Sequence, residues 1–140
     1  SLRVVLEQFV IRRLKDRFTP EAHAELQVVV DRMVDAADEQ DLVRMHELDQ
    51  RFHQRLWELT DHALLVDLAA QLRSRMSHFF RAAAASLEPD EVRRHADSHQ
   101  HLLDVIASGD VRAAERAMKK HVEQAAQRIA DAGLTRKGDG

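Results

Sequence analysis

Histidine is the first chemical feature of this sequence, which has 9 histidines and no cysteine in 140 residues. Asp49 and His53 are four residues apart in a stretch whose apolar residues recur at helical spacing, so their side chains lie one turn apart on one face. A carboxylate buried among apolar side chains is costly unless it is paired or binds a metal. Asp49 is therefore a candidate metal ligand. Its apolar neighbours on that face are Leu42, Met45, Phe52 and Leu56.

Two later stretches with helical spacing also direct an imidazole toward the interior. His99 and His121 each lie on the apolar side of their stretch, so three predicted helices contribute an imidazole and one adds a carboxylate. Neutral imidazole with one carboxylate is a ligand set that suits one divalent transition metal: zinc, nickel, iron or manganese. The alternative is that these are separate core histidines, each hydrogen-bonded to a neighbour.

The other histidines are less clearly placed by spacing. His95 lies one turn before His99, so geometry alone leaves open whether it is the ligand or a supporting group behind the ligands. His101 faces away from the apolar side. The histidines with no partner pattern, which we expect at the surface or in ordinary packing, are His23, His46, His62 and His78.

Six amphipathic helices joined by short loops would have to position these side chains, which predicts an antiparallel all-α bundle. The apolar stripe expected for the first helix is Leu2, Leu6, Phe9 and Val10, and that for the fourth is Leu65, Leu68, Leu72, Met76, Phe79 and Ala83. The first predicted helix runs from Leu2 to about Phe18, the second begins at Pro20 with Thr19 as its cap, and the third runs from about Leu42 to Leu59. The fourth follows a cap at Thr60 or Asp61, the fifth begins at Glu88-Pro89-Asp90, and the sixth runs from Ser108-Gly109-Asp110 to about Asp131.

Composition narrows the class of protein. A length of 140 residues fits one domain, and the low content of aromatics (4%), Gly (4) and Pro (2) excludes a chain of many short strands. The sequence has no apolar run of membrane-spanning length and no signal peptide at its start, so we expect no membrane partner and a cytoplasmic location. The net charge of −3 offers no electrostatic footprint for nucleic acid.

Three motifs in order resemble those of a known domain. They are the run from Asp49 to His53 (DQRFH), the stretch HQHLLDVIASGD that opens at His99, and AAERAMKKH, which ends at His121. The opening LRVVLE at residues 2–7 is similar to the start of the same domain. The chain thus resembles, over essentially its whole length, the C-terminal ligand-sensing (FCD) domain of GntR-family bacterial transcription regulators, of the FadR subfamily.

The resemblance implies a metal held by Asp49, His53, His99 and His121, with His95 outside the ligand set. The metal would lie at the floor of a central cavity that takes a small organic acid, whose carboxylate can complete the coordination. The sensing domain would span residues 1–132, followed by a flexible tail at 133–140. The N-terminal winged helix-turn-helix of such regulators is expected to be absent from this chain. His62 stands at a turn where the family often has Asn.

An anionic effector requires a cation that supplies several donors, and two arginines are candidates. Arg75 lies near the core stripe of the fourth predicted helix, and Arg3 matches the opening arginine of the family pattern. Arg73, Arg81 and the pair at 93–94 are interpreted as solvated charge. Such a regulator is expected to be a homodimer and to contact DNA only through its missing N-terminal domain.

Two rival functions remain at this point. A mononuclear metal-dependent hydrolase could use an open site of three histidines and one aspartate to lower the pKa of bound water. The sequence offers no further acid–base pair beside the ligands, which argues against an enzyme. A metal-free dimerisation bundle is the third possibility, and it leaves the buried Asp49 unexplained.

Overall fold

Six α-helices make up the described part of the chain, which confirms the predicted all-α fold. The computed structural model describes the backbone of residues 1–138 and all side chains there except Met76, His78, Phe79, Phe80, Ala83, Ala84, Ile129 and 132–138. The helices are α1 (Leu2–Leu14), α2 (Pro20–Asp38), α3 (Leu42–Leu59), α4 (Ala63–Ala85), α5 (Pro89–Ala107) and α6 (Val111–Gly138).

Neighbouring helices pack side by side around one apolar core. α2 lies between α3 and α5, α1 packs on α6, and α4 contacts both α3 and α6. Because α2–α3, α3–α4 and α5–α6 are packed pairs joined by short loops, their helices run antiparallel. The largest fully buried side chains are Phe52, Leu26, Met33, Leu56, Leu102, Leu103, Met118 and His99.

Local capping signals set several helix boundaries where the sequence predicts them. Thr19 is extended and its hydroxyl accepts a hydrogen bond from the Ala22 N–H at 3.1 Å, with Pro20 in the first turn. Asp110 caps α6 by accepting from the Ala113 N–H at 3.0 Å. Gly109 precedes it with φ of 80°, a left-handed conformation that glycine adopts without strain at the end of a helix.

Two boundaries differ from the sequence-based prediction. α1 ends at Leu14 instead of about Phe18, since a turn and the extended Thr19 must precede Pro20. α4 begins at Ala63 and is capped by His62, whose Nδ1 accepts from the Leu65 N–H at 3.3 Å. The predicted caps Thr60 and Asp61 are therefore wrong. Thr60 instead donates its hydroxyl to the Trp57 carbonyl at 2.6 Å, and Asp61 has a left-handed φ of 52°.

The core face of α1 also differs from the predicted stripe. Leu2 and Phe9 are exposed and Leu6 is partly buried, so of the four predicted residues Val10 alone is buried. α1 is apolar on two sides, and this makes its inward face ambiguous from spacing. The side that packs on the bundle carries Val4, Glu7, Val10, Ile11 and Leu14.

Three further predictions concern the core face of α4, the end of α6 and the C-terminal tail. In α4, Leu65 is buried and Leu68 and Leu72 are partly buried. The predicted core residues Met76, Phe79 and Ala83 have side chains outside the described set. α6 continues to Gly138, beyond the expected end near Asp131. The flexible tail predicted at 133–140 stays a prediction, and residues 139–140 lie outside the described residues.

A membrane span requires a helix that is both long and apolar. Within the described residues, none of the helices is both long and apolar enough to cross a bilayer.

Candidate metal centre and cavity

Three helices bring four donor side chains to one point inside the bundle. α3 supplies Asp49 and His53 from successive turns, α5 supplies His99 and α6 supplies His121. One ligand atom from each of the four lies within 4.8 Å of every other. The three histidines are buried and His99 is fully inaccessible to solvent. The sequence-predicted set thus converges on a single cluster.

The distances between donor atoms match those around a single ion. Asp49 Oδ1 lies 2.8 Å from His99 Nε2 and 3.3 Å from His53 Nε2, and His53 Nε2 lies 3.1 Å from His121 Nε2. Donor atoms that bind one ion at about 2.1 Å are separated by about 3.0 to 3.4 Å when they are adjacent. The observed spacings fall in or close to this range.

The protonation of His99 also favours a cation at this point. His99 Nδ1 lies 2.8 Å from the backbone carbonyl of His95 and must donate to it, because a carbonyl accepts only. In neutral His99 the Nε2 then carries a lone pair, which faces the Asp49 carboxylate oxygen at 2.8 Å. Two lone pairs at this distance repel unless a proton on Nε2 or a metal ion lies between them. A metal-binding histidine characteristically donates its other N–H to a carbonyl in this way.

His121 is oriented by a comparable contact. Ser98 donates its hydroxyl to the His95 carbonyl at 2.6 Å, so its oxygen can accept from His121 Nδ1 at 3.4 Å. This leaves His121 Nε2 free to act as a donor atom toward the cluster. His53 Nδ1 is buried and has no hydrogen-bond partner among the described residues. The arrangement therefore presents three Nε2 atoms and one carboxylate oxygen, a set that fits a divalent transition metal.

The pKa values of Asp49 and His121 favour the binding of a cation at the cluster. Burial alone would raise the pKa of Asp49, but the charge of His99 and hydrogen bonds from His53 and His95 hold that pKa well below its usual range. Burial, assisted by the charges of the neighbouring histidines, lowers the pKa of His121 well below its usual range. Asp49 is thus held as the ionised carboxylate and His121 as the neutral imidazole, the forms in which these two groups bind a metal.

His95 lies behind the cluster. Its Nε2 is 3.0 Å from Asp49 Oδ2, the oxygen that faces away from the other ligands, and its Nδ1 is 2.8 Å from Arg128 Nη1. His95 is thus in contact with a candidate ligand and outside the group of four. This position matches the supporting role that spacing alone left open.

A cavity of about 190 Å³ opens directly onto the cluster. Asp49, His53 and His121 line one end, and Glu7 and Trp57 line another part of the wall. His53 and Trp57 are one helical turn apart on α3, so these two polar regions are separated by roughly 6 Å along the helix. The apolar side chains of the wall are Leu42, Met45, Ala69, Leu72, Leu87, Val92 and Ala125.

The cavity wall carries positive charge, though not entirely where the sequence predicts it. Arg3 lines the cavity, and its Nε lies 3.8 Å from Glu7 Oε1. Arg75 is exposed and is not among the described residues that line the cavity. Arg73, interpreted from sequence as solvated charge, is partly buried and lines it instead. The two positions differ by about 200° around α4.

Several lining residues were not predicted from sequence as part of the site. Glu7 is buried, and its Oε2 accepts from Trp57 Nε1 at 2.9 Å. Trp57 continues the four-residue spacing of Asp49 and His53, which is a signal that could have identified it. Arg128 has no comparable sequence signal, because its place depends on how α6 packs. His46, expected in ordinary packing or at the surface, is buried and also lines the cavity.

The chain is similar to a known protein in both sequence and structure, and it matches a family model. The chain is 20% identical over 123 residues to the HTH-type transcriptional regulator McbR of Escherichia coli strain K12, which covers 88% of this chain and 56% of that protein. The solved structure of E. coli McbR/YncC has a TM-score of 0.82 and 21% identity, covering 96% of this chain and 62% of the other. The chain thus spans less than two thirds of either relative. A family model described as the FCD domain matches residues 1–124. Since that match covers most of its length, the chain belongs to the FCD domain family.

Proposed function

We propose that this chain is the effector-sensing and dimerisation domain of a GntR-type bacterial transcription regulator, of the FadR subfamily. The observation that carries the proposal is a cavity whose floor is a cluster of three histidines and one aspartate and whose wall carries arginines. Membership of the FCD family and homology to a transcription regulator indicate a regulatory domain and not an enzyme.

A divalent transition metal is the first ligand in this proposal. Asp49, His53, His99 and His121 would hold it, and the cavity leaves one side of the cluster free of protein. A bound metal supplies a positive charge that can accept an oxygen donor from a second molecule. The chain's own residues orient the imidazoles through Ser98 and the His95 carbonyl.

A small organic acid is the second ligand. Arg3 and Arg73 line the same cavity as the cluster, so an effector carboxylate can be stabilised by positive charge from both metal and guanidinium. The apolar part of the wall would contact the carbon chain of the effector. A volume of about 190 Å³ restricts the effector to a small molecule.

DNA binding belongs to a different part of the proposed regulator. The relative is named as a helix-turn-helix protein, and the matched region is 56% of its length. We assign DNA contact to an N-terminal winged helix-turn-helix and sensing to the present segment. A regulator of this type acts in the cytoplasm, where the DNA is. Effector binding would shift the equilibrium between two arrangements of a homodimer if its affinity for them differs.

A second copy of this chain is the proposed partner of an exposed apolar face. Leu2, Val5 and Phe9 recur at helical spacing on the outer side of α1 and are exposed. Phe9 contacts the ring of His62, the residue that caps α4, with centroids 6.5 Å apart, and Leu64 in the first turn of α4 is exposed as well. Several exposed apolar side chains at helical spacing are typical of an interaction site.

Thermal unfolding with and without metal tests the effector proposal. A panel of small hydroxy-, keto- and sugar-acid carboxylates is added to zinc-loaded protein and to protein stripped with a chelator. A carboxylate that binds at the metal raises the melting temperature of the loaded protein more than that of the stripped protein. Equal shifts would place the effector away from the metal, and no shift with any acid would contradict carboxylate sensing.

A further inference from the structure

Arg128 of α6 contacts the histidine that lies behind the cluster. Arg128 Nη1 is 2.8 Å from His95 Nδ1. A guanidinium has five N–H donors, no acceptor and a permanent charge, so it can only donate in this contact. His95 Nδ1 must therefore accept, which requires a lone pair at that nitrogen.

The contact decides where the single proton of His95 resides. With Nδ1 as acceptor, the proton of the neutral ring is on Nε2, which lies 3.0 Å from Asp49 Oδ2 and donates to it. An imidazolium at His95 would direct a second N–H at the guanidinium, so that two donors would face each other. The other Asp49 oxygen, Oδ1, is then the one that faces His99 Nε2 at 2.8 Å.

From this geometry we propose that Arg128 is a positioning residue for the metal centre. It fixes His95 in the Nε2–H form, and His95 in turn holds the Asp49 carboxylate so that Oδ1 is turned toward the three histidines. Arg128 touches none of the four candidate ligands itself in the contacts described and acts through His95. This inference rests on the proposed metal-binding function.

A double-mutant cycle tests the proposal by zinc affinity, measured in competition with a chelating dye. Arg128→Gln is expected to weaken zinc binding by about 10- to 100-fold, the usual effect of losing a group that orients a ligand. Arg116→Gln, on the exposed side of the same helix, is the matched control and should leave zinc affinity unchanged. In a His95→Ala background, Arg128→Gln should cause no further loss. Equal affinities of the Arg128 and Arg116 variants, or losses that multiply with His95→Ala, would overturn the proposal.

Nitrogen NMR of the histidine rings supplies a readout that a purely structural role would not move. In metal-free wild type, His95 is expected as the Nε2–H tautomer, and in Arg128→Gln as a mixture with the Nδ1–H tautomer. Arg128→Lys, which also can only donate, should restore the Nε2–H form. A wild-type His95 protonated at Nδ1 would overturn the positioning role while leaving metal binding intact. Failure of the wild type to bind zinc would instead overturn the metal site and this role together.

Discussion

At the scale of single residues, two arginines on α4 differ in location, since one lines the cavity and the other lies at the protein surface. Arg73 lines the cavity and burial lowers its pKa, whereas Arg75 is exposed. Helical spacing placed Arg75 near the predicted core stripe of α4, but spacing does not show how α4 packs against its neighbours. The inward direction of a helix is a tertiary property, and an error of two residues reverses it.

Arg73→Gln is predicted to weaken binding of the carboxylate identified by thermal shift by about 10- to 100-fold, since a charge-assisted hydrogen bond contributes about 1.5 to 3 kcal/mol. Arg75→Gln is the matched control, two residues away on the same helix, and should bind the acid like the wild type. Isothermal titration of both variants in the zinc-loaded state measures the difference. A loss of affinity in Arg75→Gln alone would show that Arg75, the residue predicted from sequence, contacts the effector.

Residue chemistry also explains how much of the site could be predicted from sequence. Asp49 and His53 are recognisable because a carboxylate and an imidazole lie one turn apart on the apolar face of one helix, although Asp49 itself is only partly buried. His99 and His121 follow the same reasoning. Arg128 and Glu7 reach the cavity wall through contacts with other helices, so no local pattern identifies them.

At the scale of helices, boundaries with strong local chemistry were predicted correctly and those without it were not. Thr19-Pro20 starts α2 as expected because the hydroxyl cap and the proline act within a few residues. The start of α4 was misassigned because His62, an unusual capping residue, takes that role. The core face of α1 was misassigned because α1 is apolar on two sides.

Thr19→Ala is predicted to destabilise the protein by about 1 kcal/mol, because the Ala22 N–H loses its acceptor at the start of α2. Chemical denaturation measures this loss as a change in midpoint at unchanged slope. Ser74→Ala, an exposed position inside α4, is the control and should change stability by less than about 0.5 kcal/mol. Equal stabilities of Thr19→Ala and wild type would show that the cap contributes nothing.

At the scale of the whole molecule, the outer face of α1 and the start of α4 carry four of the large apolar side chains that stay exposed among the described residues. Val5 lies on this surface and is 58% exposed, while Val43 on α3 is 65% exposed elsewhere. The two valines are therefore matched in residue type and exposure. They differ in their neighbours along the helix, because Val5 lies one turn from the exposed Leu2 and Phe9, whereas Val43 lies one turn from His46 and Glu47.

Val5→Glu is predicted to convert a dimer into a monomer, because a charge buried at an apolar interface costs several kcal/mol. Val43→Glu is the control and should stay dimeric. Light scattering coupled to size exclusion gives the mass of each variant directly. A wild-type mass equal to the 16.0 kDa chain would contradict the homodimer for this segment, and a Val5→Glu dimer would place the interface on another face.

The central claim is that Asp49, His53, His99 and His121 bind one metal ion, and elemental analysis of protein purified without a histidine tag tests it most directly. About one transition metal per chain is expected in the wild type and in His101→Ala, a change at an exposed histidine outside the cluster. His121→Ala should contain almost none. A wild type that holds no metal after incubation with zinc, nickel and manganese, or a His121→Ala variant with full occupancy, would show that these four residues do not form a metal site.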